Sequence, residues 1–164
     1  MEEAARLLAA RSLSVRELRE RLERRGHPAR DIEAALGALQ SRGYLDDLAL
    51  AYNAASVMAA RRAYGRTRVA AELRRRGIAD ETAAEALRRV FAEVDEDGVA
   101  LEAARRLGPV PAGPAGRRKM QQIARTLLRK GLSRSAVGRA LRSLGEGAED
   151  LDLESDGHEL ERDP

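Results

Sequence analysis

Residues 69–77 read VAAELRRRG, and two other stretches share their pattern: 18–26 reads LRERLERRG and 123–131 reads IARTLLRKG. In each stretch, apolar residues stand eight and four positions before a glycine, and basic residues directly precede that glycine. The four-residue spacing places the apolar side chains on one face of a helix. The glycine suits the left-handed position that ends a helix. The chain is therefore predicted to use one helical module three times.

The pattern continues after each glycine and predicts a second helix in every copy. Apolar residues follow at six, ten and thirteen positions. These residues are Ile32, Leu36 and Leu39, then Ala83, Leu87 and Val90, then Val137, Leu141 and Leu144. Ser14 with Glu17 forms a capping-box pattern at the start of the first module. Asp80 and Ser133 are predicted to cap the second helices of copies two and three.

A third helix is predicted in the first two copies only, starting at Asp46–Asp47 and at Asp95–Glu96 and running roughly over 46–63 and 95–107. The stretch GPVPAGPAG is predicted to be an extended, non-helical connector. We therefore expect an all-α protein, an elongated array of tandem three-helix repeats whose third repeat is incomplete. The predicted division is 1–65 (N-terminal helix plus repeat 1), 66–107 (repeat 2), 108–116 (Pro/Gly hinge), 117–145 (two-helix repeat 3) and 146–164 (acidic, disordered tail).

The composition supports stacked helices and excludes several classes of site. With one Phe, three Tyr and no Trp, the core must be Leu, Val, Ile and Ala, and neighbouring repeats must complete it. The absence of Cys excludes disulfides and thiolate metal sites. No signal peptide or membrane span is evident, so a cytoplasmic protein without membrane association is expected.

Charge is segregated along the chain. The net charge is +3, yet 146–164 holds nine acidic residues and one Arg, whereas 117–145 holds nine basic residues and no acid. Of the 30 basic residues 28 are Arg, which either suits bidentate phosphate contacts or reflects a genome-wide codon bias, and a codon bias does not account for the segregation. This segregation indicates a polyanionic partner such as nucleic acid.

Three basic groups are the candidate binding residues. Their alternative role is structural, because basic side chains near a helix C-terminus favour its dipole. The last group is predicted to cover both faces of its helix. The groups are Arg61, Arg62, Arg66 and Arg68; Arg74, Arg75 and Arg76; and Arg117, Arg118, Lys119, Arg125, Arg129 and Lys130.

Catalytic chemistry is not indicated. His27 follows a helix stop and His158 lies in the tail, and neither has neighbours that would make a catalytic constellation. Asp46–Asp47 is interpreted as a helix cap rather than a metal pair. There is no P-loop. We predict no catalytic residue, no cofactor, no metal and no enzymatic activity.

Aromatic side chains and the helix order bear on how nucleic acid would be bound. Tyr44, Tyr52 and Phe91 fall at apolar positions and are predicted to be core, which leaves Tyr64 as the candidate exposed stacking residue. A helix–turn–helix repressor is the alternative class of DNA-binding protein that the helix order suggests. Its would-be recognition helices, 31–39 and 80–90, begin with acids and lack side chains that read base edges near their starts.

The motifs resemble the RecX family over about residues 1–145. The resemblance rests on 11–18 (RSLSVREL), 22–26 (LERRG), 43–47 (GYLDD) and 69–78 (VAAELRRRGI), in this order and at family-like spacing. It implies tandem three-helix repeats without a cofactor that bind the RecA recombinase. Members of this family lie along the groove of the RecA–DNA filament and mostly inhibit its ATPase and strand exchange.

The expected partners are therefore the RecA filament and DNA, the latter through phosphate contacts that do not depend on sequence, and the protein is expected to be a monomer. The alternative is a general DNA-binding or architectural protein that acts without RecA. For the tail, two hypotheses stay open: it folds back on 117–142 and tempers DNA binding, or it only increases solubility.

Overall fold

The structure is a computed structural model, and it describes residues 2–145. The predicted disordered tail, 146–164, lies outside the described residues. Across residues 2–145 the chain forms nine helices and no strand. They are α1 (Glu2–Ala10), α2 (Val15–Glu23), α3 (Ala29–Ser41), α4 (Asp47–Arg62), α5 (Arg66–Arg75), α6 (Asp80–Phe91), α7 (Glu96–Arg106), α8 (Gly113–Arg129) and α9 (Arg134–Leu144). The all-α prediction is confirmed.

The three aligned glycines each end a helix in the same way. Gly26, Gly77 and Gly131 have φ values of 81°, 75° and 77°. Each glycine amide donates to the carbonyl three residues earlier, and the following amide donates to the carbonyl five residues before itself. This pair of hydrogen bonds is the Schellman motif, which satisfies carbonyls left unpaired at a helix end. The predicted helix stops are therefore confirmed at all three positions.

The apolar positions of the repeat form the core. Leu18, Val69 and Ile123, which stand eight residues before the glycines, are at most 1% exposed. The positions four before and six and ten after the glycine are also buried in every copy. At the thirteenth position only Leu39 is buried, and Val90 and Leu144 are partly exposed. Equivalent sequence positions thus bury equivalent side chains.

Helix caps agree with the sequence in all but one case. Ser14 accepts from the Glu17 amide and completes a capping box with the Glu17 side chain, and Ser133 caps α9 through the Ala136 amide. The prediction for Asp80 was wrong, because Ala79 is the N-cap and offers no side-chain hydrogen bond. The Asp80 carboxylate lies 3.5 Å from Nε of Arg74 instead of on the helix amides.

The connector at 108–116 is shorter than predicted. Helix α8 begins at Gly113, so residues 113–116 are helical and only 108–112 are not. Pro114 stands in the first turn of α8. A proline there sacrifices no hydrogen bond, because the first amides of a helix have no partner within it. The expectation that all of 108–116 is non-helical was therefore wrong.

The chain divides into two compact units. Among the described residues, the first contains 2–62 and 69–93, and the second contains 63–68 and 94–145. In the second unit, α7 packs closely against α9 and also against α8, and their side chains share one buried cluster. The sequence-based division instead placed α7 at the end of repeat 2. A unit defined by packing need not coincide with a repeat defined by sequence, so the predicted repeat boundaries stay a prediction.

Helix α4 packs in an unusual way. Its buried residues are Ala51, Ala55 and Ala59, and this alanine face lies against α6. Small side chains on the contact face let two helices approach closely. The bulkier residues of α4 consequently lie away from that contact. None of the helices in residues 2–145 is long and apolar enough to cross a membrane.

Candidate nucleic-acid interface

The turn at 63–68 is held against the C-terminal end of α8. The Gly65 amide donates a hydrogen bond of 2.8 Å to the carbonyl of Lys130. A Cβ atom on Gly65 would collide with the backbone carbonyl of Gly131, so glycine is required for this approach. Ala63 adopts the left-handed region with φ of 52°. The turn is therefore fixed by backbone contacts rather than by its side chains alone.

Tyr64 collects two cations at this turn. Cζ of Arg68 lies 5.6 Å from the ring centroid of Tyr64, and Nζ of Lys130 lies 5.7 Å from the same centroid. Both distances are within the range of cation–π attraction. Tyr64 is half-buried, which does not favour its candidate role as an exposed stacking residue. Its ring instead holds two positive charges at one place, and we name Tyr64, Arg68 and Lys130 the Tyr64 cluster.

The Tyr64 cluster joins two of the predicted basic groups. Arg68 belongs to the first group and Lys130 to the third, 62 positions apart in sequence. Arg66 and Arg68 are exposed. Arg61 and Arg62 are exposed in the last turn of α4, which belongs to the other unit. The structure thus separates the four arginines of the first group between the two units.

Helix α8 carries one arginine stripe. Arg118, Arg125 and Arg129 are exposed and spaced by seven and four residues, which places them within about 40° of one another on a helix of 3.6 residues per turn. The opposite face is buried through Met120, Ile123, Ala124 and Leu127. Three arginines of the group therefore share the solvent face, which we name the α8 stripe, while its other members lie on the two flanks of the helix.

The lysines of α8 flank its buried face. Lys119 is half-buried, and its ammonium donates to the carbonyl of Leu107 at 2.6 Å. Lys130 is half-buried in the Tyr64 cluster. Arg117 is exposed near the start of the helix. Of the third predicted group, Lys119 therefore has a structural role, since it satisfies a carbonyl near the end of α7.

The second predicted group, at the end of α5, is largely engaged within the fold. Arg74 and Arg75 are exposed, and Arg75 pairs with Glu72 at 2.7 Å. The guanidinium of Arg76 is partly buried, lies 3.0 Å from a carboxylate oxygen of Glu17, and also donates to the carbonyl of Ser12. Arg76 thus belongs to a structural ion pair, although sequence reasoning placed it among the binding residues.

The pKa values of two carboxylates in the first unit are shifted by burial and by contacts of this kind. Partial burial acts to raise the pKa of Glu17, but the hydrogen bonds from Arg76 and the Ser14 amide prevail, and the pKa of Glu17 is lowered. Burial raises the pKa of Asp47, whose carboxylate accepts from the Val15 amide at 2.9 Å. Both groups serve the junction between α2, α4 and the end of α5.

The adjacent carboxylates Asp46 and Asp47 accept hydrogen bonds from backbone amides. Asp46 accepts from the amides of Leu48 and Ala49 at 2.9 and 3.0 Å, as expected of a helix cap. Within residues 2–145 no three His, Cys, Asp or Glu side chains are grouped so that they could hold a metal ion. His27 contacts Glu3 at 2.5 Å on the surface of the first unit.

A groove with a mixed polar and apolar lining on the first unit was missed by sequence reasoning. Tyr44, Leu50, Val57 and Met58 contribute to its walls, and its volume is about 590 Å³. Tyr44, which precedes α4, is 70% exposed, and Tyr52 on α4 is 44% exposed. The prediction that both tyrosines are core was wrong, and Tyr52 stays outside because α4 packs inward through alanine. Phe91 is partly buried.

Comparisons with known proteins agree with this architecture. The family model described as RecX, first three-helix domain, matches residues 1–39. The model described as RecX, second three-helix domain, matches 46–87. The first match spans α1 to most of α3, and the second spans α4, α5 and most of α6.

Whole-chain relatives carry one description. The regulatory protein RecX of Amycolatopsis mediterranei is 34% identical over 143 residues, covering 85% of this chain and 81% of the relative. The regulatory protein RecX of Halorhodospira halophila is 36% identical over 149 residues, covering 89% and 88%. A crystal structure of regulatory protein RecX superposes with a TM-score of 0.69 at 23% identity, covering 82% of this chain and 66% of that one, and shows the same fold.

The helices, the glycines that end three of them and the two matched domains define a protein built from tandem three-helix domains. The chain belongs to the RecX family. The resemblance inferred from the motifs at 11–26, 43–47 and 69–78 is therefore confirmed.

Proposed function

We propose that this protein regulates a RecA recombinase, mainly as an inhibitor, by binding along the RecA–DNA filament during recombination and DNA repair. Its membership of a family of regulatory proteins named RecX is the observation that carries the proposal. The protein acts as a monomer without a cofactor. It modulates the ATPase and strand exchange of the filament rather than catalysing a reaction of its own.

The charge on the second unit supports contact with the DNA of the filament. The α8 stripe presents three guanidinium groups on one exposed face, and the Tyr64 cluster adds Arg68 and Lys130. Guanidinium groups bind phosphate oxygens with two hydrogen bonds each. Contacts of this kind position a protein on nucleic acid without reading its sequence.

The predicted residues divide by their suitability for this contact. Arg76 and Lys119 are engaged inside the fold and contribute little to binding. The remaining candidates lie at exposed or half-buried positions and are proposed to contact the filament. They are Arg61, Arg62, Arg66, Arg68, Arg74, Arg75, Arg117, Arg118, Arg125, Arg129 and Lys130.

The proposal is tested by the ATPase of purified RecA on single-stranded DNA. Added in equimolar amount or above, the protein should lower the rate, and the triple variant Arg118→Gln, Arg125→Gln, Arg129→Gln should inhibit less. A matched control removes three exposed arginines of the first unit: Arg24→Gln, Arg30→Gln, Arg42→Gln. An ATPase rate that the unmodified protein leaves unchanged would falsify the proposal.

A second candidate is an architectural DNA-binding protein that acts without RecA. It is favoured by the absence of acidic residues between 117 and 145. This function requires tight binding to naked DNA, and with roughly 6–10 phosphate contacts the affinity should fall about 10³–10⁵-fold between ~50 and ~200 mM salt. Weak binding to naked DNA at physiological salt, together with retained binding to RecA filaments, excludes it.

A further inference from the structure

The second unit has a large excess of positive charge in its described part. Residues 63–68 and 94–145 contain 13 basic residues and four acidic ones, all four on or directly before α7. Among exposed charges in the same unit, such an excess is unfavourable because like charges repel. An anionic partner would relieve this repulsion.

The four acidic side chains of the described part are already engaged. Asp95 caps α7 through the Gly98 amide, and Glu96 accepts from the amide and hydroxyl of Ser133 at 2.8 and 2.7 Å. Asp97 pairs with Arg139 at 2.6 Å, and Glu102 pairs with Arg106 at 3.1 Å. Each of these four carboxylates thus has a partner within the second unit.

Both α8 and α9 carry exposed arginines. Five of these arginines take part in no ion pair within residues 2–145. They are Arg117, Arg118, Arg129, Arg134 and Arg142. We call the α8 stripe together with these residues the α8–α9 basic face.

A segment of opposite charge begins just beyond α9. Residues 146–164 contain nine acidic residues and one Arg, and α9 ends at Leu144. Nineteen residues reach at most about 60–70 Å when extended, whereas a helix of 17 residues such as α8 is about 25 Å long. The segment can therefore reach every arginine of the face.

Covalent attachment makes this contact favourable although each exposed ion pair contributes little. A segment joined by a short linker has an effective concentration in the millimolar range at the face beside it. Several weak pairs then act together, and salt weakens them together because the charges are exposed.

We propose that residues 146–164 occupy the α8–α9 basic face as an internal polyanion and compete there with nucleic acid. The proposal rests on the proposed function, since the face is the one suggested to contact the DNA of the filament. Binding to free DNA is reduced, and only a partner that presents many phosphates in a fixed array displaces the segment.

The contact itself is tested with a spin label on the full chain. The protein has no cysteine, so Ser155→Cys provides one labelling site in the segment. In ~50 mM salt the label should broaden amide resonances of α8 and α9, and ~1 M salt should abolish the effect. The triple variant Arg118→Gln, Arg125→Gln, Arg129→Gln should weaken it, and the variant Arg24→Gln, Arg30→Gln, Arg42→Gln should not. Absence of broadening at low salt overturns the proposal.

Competition is tested by the affinity for a single-stranded oligonucleotide, measured by fluorescence anisotropy. A variant whose nine acidic residues beyond 145 are replaced by Asn or Gln keeps the length of the segment. It should bind about tenfold or more tightly at ~50 mM salt and show a steeper salt dependence. Equal affinity of this variant and the unmodified chain also overturns the proposal. Failure of the proposed function is seen separately, as an unaltered RecA ATPase, because the broadening is measured without RecA.

Discussion

The hydroxyl of Ser14 donates a hydrogen bond of 2.5 Å to the backbone carbonyl of Arg76, 62 residues away in sequence. The same oxygen accepts from the Glu17 amide at 3.0 Å and so caps α2. Ser14 is fully buried. One side chain thus begins α2 and also fastens it to the end of α5, where the guanidinium of Arg76 returns to Glu17.

Ser14→Ala should destabilise the first unit by about 1–3 kcal/mol, because it removes a helix cap and the partner of a carbonyl. Urea unfolding followed by circular dichroism measures the change. Ser12→Ala, two residues earlier and exposed, is the matched control and should change stability by less than about 0.5 kcal/mol. Equal midpoints for the two variants would contradict a dual role of Ser14.

Gly65→Ala should destabilise the second unit by about 1–3 kcal/mol, since the new Cβ collides with the backbone carbonyl of Gly131 and the fold must shift. Gly37→Ala is the control. Gly37 lies within α3 and has open space around it, so alanine there should stabilise by about 0.5–1 kcal/mol. Thermal unfolding distinguishes the opposite signs, and a neutral effect at Gly65 would show that the turn is not held at α8.

Arg68→Gln and Lys130→Gln should each weaken binding to single-stranded DNA by a similar factor for all sequences. Each change should lower the slope of log affinity against log salt by about one, because one phosphate contact is lost. Fluorescence anisotropy at several salt concentrations measures both quantities. Arg30→Gln, on an exposed position of α3, should leave the slope unchanged, and a slope retained in the Lys130 variant would remove the Tyr64 cluster from the interface.

The stability of the first unit should decrease in acid partly through Glu17. Its pKa is lowered in the folded state from an ordinary value of 4.5, against the effect of partial burial, by Arg76 and Ser14. The stabilisation is therefore complete above 4.5 and is lost as the pH falls through the folded value. Glu17→Gln should be less stable than the unmodified protein at neutral pH and should lose less on acidification.

Asp47 acts in the opposite direction. Burial raises its pKa above the ordinary value of 3.8, so its protonated form favours folding, and this contribution is lost as the pH rises through the folded value. Asp47→Asn should therefore steepen the loss of stability in acid, whereas Glu17→Gln should flatten it. Chemical unfolding at a series of pH values between about 3 and 7 checks both slopes, and parallel curves for the two variants would exclude this assignment.

Local signals were sufficient for most of the helices and for the ends of α2, α5 and α8. The Schellman glycines Gly26, Gly77 and Gly131 and the caps Ser14 and Ser133 depend on residues within one turn, so their patterns can be read directly from the chain. The start of α8 at Gly113 was missed because Pro and Gly were interpreted only as helix breakers, although proline is compatible with a first turn.

The sequence by itself determined the repeated helical module, its apolar core positions and the segregation of charge, because periodicity and composition are properties of the chain. Only the tertiary structure decided which charged and aromatic residues are available at the surface. Arg76 pairs with Glu17, Tyr64 gathers Arg68 and Lys130, and Tyr44 stays exposed beside the alanine-packed α4. These outcomes depend on contacts between residues up to 66 positions apart, and no local pattern records which distant side chains will meet.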